Sequence, residues 1–183
     1  MSDSMDIGLP DKMDINHYDD YMHITRKWFG WSIIFMTVFA VVWNAFLFGF
    51  FINVPSEAGL AAKLFPLIHV TVGIGISYYA VAGWLNKTNI YVSQHALEIQ
   101  HKPLPWFGNK RLLVKDIKQL YSKEKISHSK NGTSVSYEVR VATNSGKDTK
   151  LLSGLETSEQ ALFIEQEIEK YLGIKNQPVR GEI

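Results

Sequence analysis

Residues 31–52 read WSIIFMTVFAVVWNAFLFGFFI, with no charged side chain anywhere in the stretch. At about 1.5 Å of rise per residue, a helix of this length crosses a hydrocarbon core of about 30 Å. Residues 64–85, LFPLIHVTVGIGISYYAVAGWL, are equally free of charge. Two membrane-crossing helices are therefore expected. The link from Asn53 to Lys63 contains the turn-forming residues Pro55, Ser56 and Gly59. Because it is so short, it forces the two helices into an antiparallel hairpin. The first apolar run exceeds the core of a signal peptide and lacks a cleavage-site pattern, so it reads as a retained anchor.

The flanks of the hairpin orient it. Trp28 and Trp31 precede the first span and Trp84 ends the second, where an interfacial aromatic belt is expected. Arg26 and Lys27 stand before the first span and Lys87 begins a basic run after the second, while the link carries only Lys63. Cations favour the cytoplasmic side, which predicts both termini in the cytoplasm and residues 53–63 outside.

Within the spans, Ala45/Gly49 and Gly73/Ser77 are small pairs at four-residue spacing, a pattern that lets helix backbones approach closely. Asn44 and His69 are the polar residues to explain. One reading makes them part of an ion or proton pathway. The other makes Asn44 a hydrogen-bonding link between helices and places His69 near the outer interface. A pathway requires more polar lining than two side chains, and two helices enclose no pore without oligomerisation.

Beyond Asn86 the continuous apolar pattern gives way to short alternating runs. Ile90-Tyr91-Val92 is a strand and Gln94-His95 a turn. In ALEIQHK (96–102), Leu97, Ile99 and His101 share one face. KRLLV (110–114) is a further strand, Ile117 to Ile126 is extended, and Asn131-Gly132 turns the chain into SVSYEVRVAT (134–143). There Val135, Tyr137, Val139 and Val141 alternate with polar residues. After Asn144-Ser145-Gly146 comes KDTKLLSG (147–154), which completes about six strands in an antiparallel meander. A closing helix is marked by Thr157 as N-cap, Gln160 completing a capping box, and an apolar stripe of Ala161, Ile164, Ile168, Tyr171 and Leu172. Glu156 and Glu159 suit its positive N-terminal end, and Gly173 stops it.

Two charge-free spans followed by NIYVSQHALEIQHKPLP (89–105) and RLLVKDIKQLY (111–121) resemble the bacterial membrane-anchored proteins with a pleckstrin-homology-like (PH-like) domain. The resemblance is carried by Val92, Leu97 and Ile99 in a strand–turn–strand, and by Asp116-Ile117-Lys118-Gln119-Leu120 after a basic strand. It covers roughly residues 30–172. It implies an antiparallel sheet or barrel of six to seven strands closed by a C-terminal helix, and a role in recognition or scaffolding, although fold alone never fixes function.

Charge and composition restrict the chemistry. The chain has no cysteine, which excludes disulfides, thiolate nucleophiles and Cys-based metal sites. Residues 1–28 hold Asp3, Asp6, Asp11, Asp14, Asp19 and Asp20 against Lys12, Arg26 and Lys27. This acidic segment, in which Met5, Ile7, Leu9, Met13 and Ile15 are interspersed, reads as a tail that is disordered, docks on a partner, or docks on the chain's own basic domain. Within it HYDDYMH (17–23) gives His17, Asp20 and His23 a metal-ligand spacing on a helix; a solvated juxtamembrane segment is the simpler reading, and no metal site is assigned. Residues 87–130 carry nine cations and three anions, a mildly basic face suited to anionic headgroups or an acidic partner and far short of a nucleic-acid footprint. There is no Gly-rich phosphate loop, nucleophile elbow or paired-carboxylate pattern, so neither a catalytic residue nor a cofactor is assigned.

The expected organisation is an acidic cytoplasmic tail (1–28), a transmembrane hairpin (29–86), a cytoplasmic PH-like domain (87–173) and a short C-terminal tail (174–183). The expected function is that of a non-enzymatic bacterial inner-membrane protein serving protein–protein interaction, scaffolding or assembly, with a protein partner or its own copies. An oligomeric channel or transporter subunit is the alternative, and an anionic-lipid sensor the weaker one. The interaction candidates are Trp106, Phe107, Lys110 and Arg111, aromatic and basic groups in the loop KPLPWFGNKR (102–111).

Overall fold

The computed structural model describes residues 7–53, 55, 59–129, 132–177, 179 and 181–183. Asp3, Met5, Asp6, Ser56 and Asn131, and the side chain of Lys63, lie outside what is described. In chain order the elements are β1 (Met13–His17), β2 (Tyr21–Lys27), α1 (Trp31–Asn53), α2 (Leu60–Leu85), β3 (Lys87–Ser93), β4 (Ala96–Lys102), β5 (Lys110–Leu113), β6 (Ile117–Ser129), β7 (Gly132–Thr143), β8 (Asp148–Leu155) and α3 (Ser158–Leu172). They divide into two compact units: Trp28–Asn86, and a sheet unit made of Met1–Lys27 with Lys87–Ile183.

The sheet unit corrects the boundary drawn at residue 28. The segment expected to be a tail supplies two strands. β1 pairs with β2, and β2 pairs with β3 in antiparallel register from Tyr21↔Ser93 to Lys27↔Lys87. The helix pair is thus inserted, in sequence, between two strands that are neighbours in one sheet. Composition obscured this because aspartates dominate the segment. The alternation of Met13 and Ile15 with Asp14 and Asn16, and of Met22 and Ile24 with polar neighbours, is nonetheless a strand period. Met13, Met22 and Ile24 are buried in the core. The helical spacing of His17, Asp20 and His23 therefore has no counterpart, since this stretch is a β-hairpin.

The six strands expected after Asn86 are present as β3–β8, but they do not form one meander or a barrel. The strands lie in two open antiparallel sheets, ordered β1-β2-β3-β4-β5 and β6-β7-β8. A single 3₁₀ turn, Val114–Asp116, carries the chain from the first sheet to the second. It is held by Asn144, whose N–H donates to Asp116 O at 2.9 Å and whose Nδ2 donates to Lys115 O at 2.7 Å.

One core joins both sheets and the helix. Ile90, Val92, Leu97 and Ile99 come from the first sheet, Leu120, Val139, Val141, Leu151 and Leu155 from the second, and Ala161, Phe163, Ile164 and Ile168 from α3. Val139 and Val141 lie on the expected inner face of β7, whereas Val135, farther out along the same face, is exposed. α3 starts where its cap chemistry dictates: Thr157 Oγ1 accepts the Gln160 N–H at 3.3 Å. The Gln160 side chain reaches back to the N–H of Glu156 at 3.1 Å. Gly173, at φ +66°, ends the helix in the left-handed conformation that suits glycine.

The N-terminal strands are tied to the entrance of this helix. Glu156 forms ion pairs with Lys12 at 2.6 Å and Arg26 at 3.8 Å. Arg26 Nη2 donates to Gly154 O at 2.9 Å, and Gln160 Nε2 to Asp11 O at 3.2 Å.

Candidate interaction surface

The loop between β4 and β5 is anchored at its base. Asn109 Oδ1 accepts the His101 N–H at 2.8 Å, and Gly108 at φ +102° turns the chain back. Its positive φ favours glycine, and a Cβ there would also stand 3.1 Å from His101 Nε2, so the imidazole would have to shift. At the tip Phe107 is 93 % exposed, while Trp106 is half-buried.

The four residues expected to act together are separated by the strand geometry. Lys110 and Arg111 are adjacent in β5 and so point to opposite faces. Arg111 pairs at 3.2 Å with Glu98, its registered neighbour on β4. Lys110 Nζ donates to the backbone carbonyl of Lys150 on β8. Burial, with Lys150 and Arg140 nearby, lowers its affinity for a proton. Of the group, Phe107 alone is offered almost entirely to solvent.

The outer face of the first sheet is polar and aromatic. His23 stacks on Tyr91 with centroids 4.4 Å apart, and Tyr18 stacks on Tyr21 at 4.6 Å. A ring nitrogen of His23 (Nε2) lies 3.0 Å from Asn89 Oδ1 and 3.2 Å from Thr25 Oγ1. His23 is thus engaged by neutral partners. Among the described residues no three His, Cys, Asp or Glu side chains gather in a metal-holding group. On the second sheet, buried Glu138 pairs with Lys125 at 3.6 Å and Arg140 at 3.1 Å. Arg140 also pairs with Asp148 at 2.9 Å. These charges satisfy one another on the sheet surface.

Described by itself, the helix pair is two helices long and apolar enough to cross a membrane. α2 extends the expected span, beginning at Leu60. Asn44 Nδ2 donates to Ala40 O at 2.7 Å and to Ser77 Oγ at 3.0 Å, so it bridges α1 and α2. Trp43 stacks on the His69 ring at 5.9 Å and its Nε1 donates to His69 O at 3.1 Å. Gly73 lies in the helix contact: an added Cβ would stand 3.1 Å from Asn44 Oδ1. Ala45 is exposed and nothing lies within 4 Å of a Cβ built on Gly49, so this small pair does not serve the contact between α1 and α2. The tightest approach falls at a residue the spacing pattern missed. A Cβ on Gly83 would stand 2.4 Å from the Ile33 side chain. Its signal in the sequence was an isolated glycine in a helical run, which also has an innocuous reading.

No protein-family model matches this chain, and comparison with curated proteins finds no match.

Proposed function

We propose that the chain is an integral membrane protein of the bacterial inner membrane. In this reading α1 and α2 cross the bilayer, both termini are cytoplasmic, and the sheet unit is a PH-like, non-enzymatic module that binds a protein partner or other copies of itself. The observation that carries the membrane reading is the outward apolar surface of the helix pair. Phe35 and Phe48 are each 70 % exposed, with Val41, Val42, Ile68 and Ile74 similarly open. In water a surface of this kind is an aggregation hazard, whereas in hydrocarbon it is the expected exterior. The charge-free runs 31–52 and 64–85 within the two helices, and the cations flanking them, support the same conclusion.

The interaction reading is supported by a sheet unit that has one continuous core and a capped closing helix and gathers no recognisable catalytic constellation among the described residues. Its antiparallel strands and closing amphipathic helix favour the PH-like reading, whereas its sheets are open where a barrel was one expectation. Its two strands ahead of the helix pair depart from a layout in which the whole domain follows the spans. Asn44 and Ser77 hydrogen-bond to each other, which supports a packing role over a conduction path.

The test begins with alkaline carbonate extraction, which should leave the chain in the membrane fraction. A cysteine placed at Pro55 should then react with an impermeant maleimide from the outside, and one at Ser145 only after permeabilisation. Release by carbonate would overturn the membrane reading, and reversed labelling the orientation. Crosslinking followed by native electrophoresis in mild detergent should yield a complex; a monomer without a partner would overturn the interaction role.

A further inference from the structure

The register of the first sheet aligns three lysines that are far apart in sequence. Lys27 on β2 is opposite Lys87 on β3, and Lys87 is opposite Lys102 on β4. All three are exposed. Neighbouring strands lie about 4.8 Å apart, and like charges placed directly opposite one another destabilise a sheet. Asp14 offsets part of this repulsion, at 3.9 Å from Lys27. Among the described residues neither Lys87 nor Lys102 forms an ion pair. A row of exposed cations held in this register favours anions from outside the chain.

Covalent connection limits where those anions lie. Lys27 is four residues ahead of Trp31, the first residue of α1, and Lys87 is two residues after Leu85, the last of α2. At no more than about 3.6 Å per residue, both lysines stay within about 15 Å of the apolar helix ends. Lys102 joins them through the strand register. Because the strands are antiparallel, β4 ends and β5 begins at the same end of the sheet where β2 ends and β3 begins. The loop bearing Phe107 therefore springs from that end as well.

We propose that this end of the sheet is a contact site for anionic phospholipid. Lys27, Lys87 and Lys102 take headgroup phosphates, and Phe107 enters the interfacial layer beside them. The proposal rests on the reading that α1 and α2 cross the bilayer. An acidic protein would satisfy the lysines, but it would not explain an exposed phenyl ring at the end of the sheet from which the two apolar helices are reached.

The full-length chain has no cysteine, so Phe107→Cys and Gln94→Cys, the latter in the turn at the opposite end of the sheet, are unique labelling sites. Each variant carries an environment-sensitive fluorophore and is reconstituted in phosphatidylcholine vesicles with and without phosphatidylglycerol. The label at 107 should be quenched by a lipid-borne quencher, and more strongly with phosphatidylglycerol. The label at 94 should respond to aqueous iodide. Changing Lys27, Lys87 and Lys102 together to Gln should abolish the phosphatidylglycerol dependence, with a preference loss of about fivefold per lysine. The same change at Lys118, Lys123 and Lys125, on the second sheet, should leave it intact. A chain released by carbonate overturns the membrane reading and this proposal with it. A chain that resists carbonate but keeps residue 107 as open to iodide as residue 94 overturns the lipid contact alone. Equal loss with both lysine triplets assigns the effect to net charge and overturns the row. Shielding of residue 107 by a co-purified acidic protein, and not by lipid, also overturns it.

Discussion

Glu165 and Glu169 stand one turn apart on α3, and both are almost wholly removed from solvent. Glu169 Oε1 accepts the Leu120 N–H at 3.1 Å, which explains its retention in a covered position. Burial raises the Glu169 carboxyl to about 7, with Glu165 and Glu182 adding repulsion. Burial raises Glu165 in the same direction, again with Glu182 nearby. Both groups hold protons more tightly in the folded chain than in the unfolded one, where glutamate titrates near 4.5. Stability should therefore be greatest at the acidic end of this window and fall as pH rises from about 4.5 through 7. Replacing both with Gln keeps a carbonyl acceptor for Leu120 and removes the charge. Thermal unfolding in mild detergent should show the double variant more stable than the parent at pH 8, on the order of 1–2 kcal/mol, and equal to it near pH 4.5. A parent whose stability is flat across this range would refute the assignment. Thr157 offers a second residue-scale test. Thr157→Ala should cost about 1 kcal/mol, because the Gln160 N–H loses its acceptor, while Thr157→Ser should cost little. Chemical denaturation of the same samples measures both variants.

At the scale of elements, helix ends and local strand patterns were legible because their determinants are local. Thr157, Gln160 and Gly173 act within a turn of their own position, and the alternation in β3, β4 and β7 needs only neighbouring residues. The contact between α1 and α2 was legible in part. Gly73 and Ser77 lie on it, but the four-residue rule also selected Ala45 and Gly49, which the rotation of α1 turns away from α2. A spacing pattern specifies which residues share a helix face and leaves open which face meets the partner helix. Gly83 is the position where that distinction is measurable. Gly83→Val places methyl groups where Ile33 already stands, so the helices must separate or shift. Gly49→Ala fills open space. Cysteines introduced at Thr37 and Trp84, whose native side chains meet at 2.9 Å, should be joined by a short bifunctional maleimide in the otherwise unchanged chain and in the Gly49→Ala chain. Crosslinking should drop several-fold with Gly83→Val, and equal yields in all three would show that the helices do not meet through Gly83.

At the scale of the whole molecule, the interrupted sheet was the feature hardest to read. Pairing of β2 with β3 joins residues separated by the entire helix pair, and no local property of either strand encodes that distance. The grouping of Trp106, Phe107, Lys110 and Arg111 failed for a related reason, since proximity in sequence does not determine which sheet face or partner each side chain meets. The register nevertheless makes a strong statement about modularity. Lys27 and Lys87 are direct partners, so the chain leaves and rejoins the sheet at one cross-strand position. Replacing residues 28–86 with Asn-Gly should close β2 and β3 as a two-residue hairpin, a turn whose twist matches antiparallel strands. The resulting chain should be soluble and unfold in one cooperative transition, with both sheets preserved. Residues 87–183 alone, the domain that a reading of the sequence isolates, should fare worse. They lose Met13, Met22 and Ile24 from the core, lose the Lys12 and Arg26 contacts to Glu156, and expose the whole edge of β3. Backbone amide spectra and denaturation of the two chains decide the matter. Dispersed spectra and comparable stability for residues 87–183 would show that β1 and β2 are accessory, whereas a folded hairpin-closed chain beside an aggregating shorter one establishes them as part of the domain.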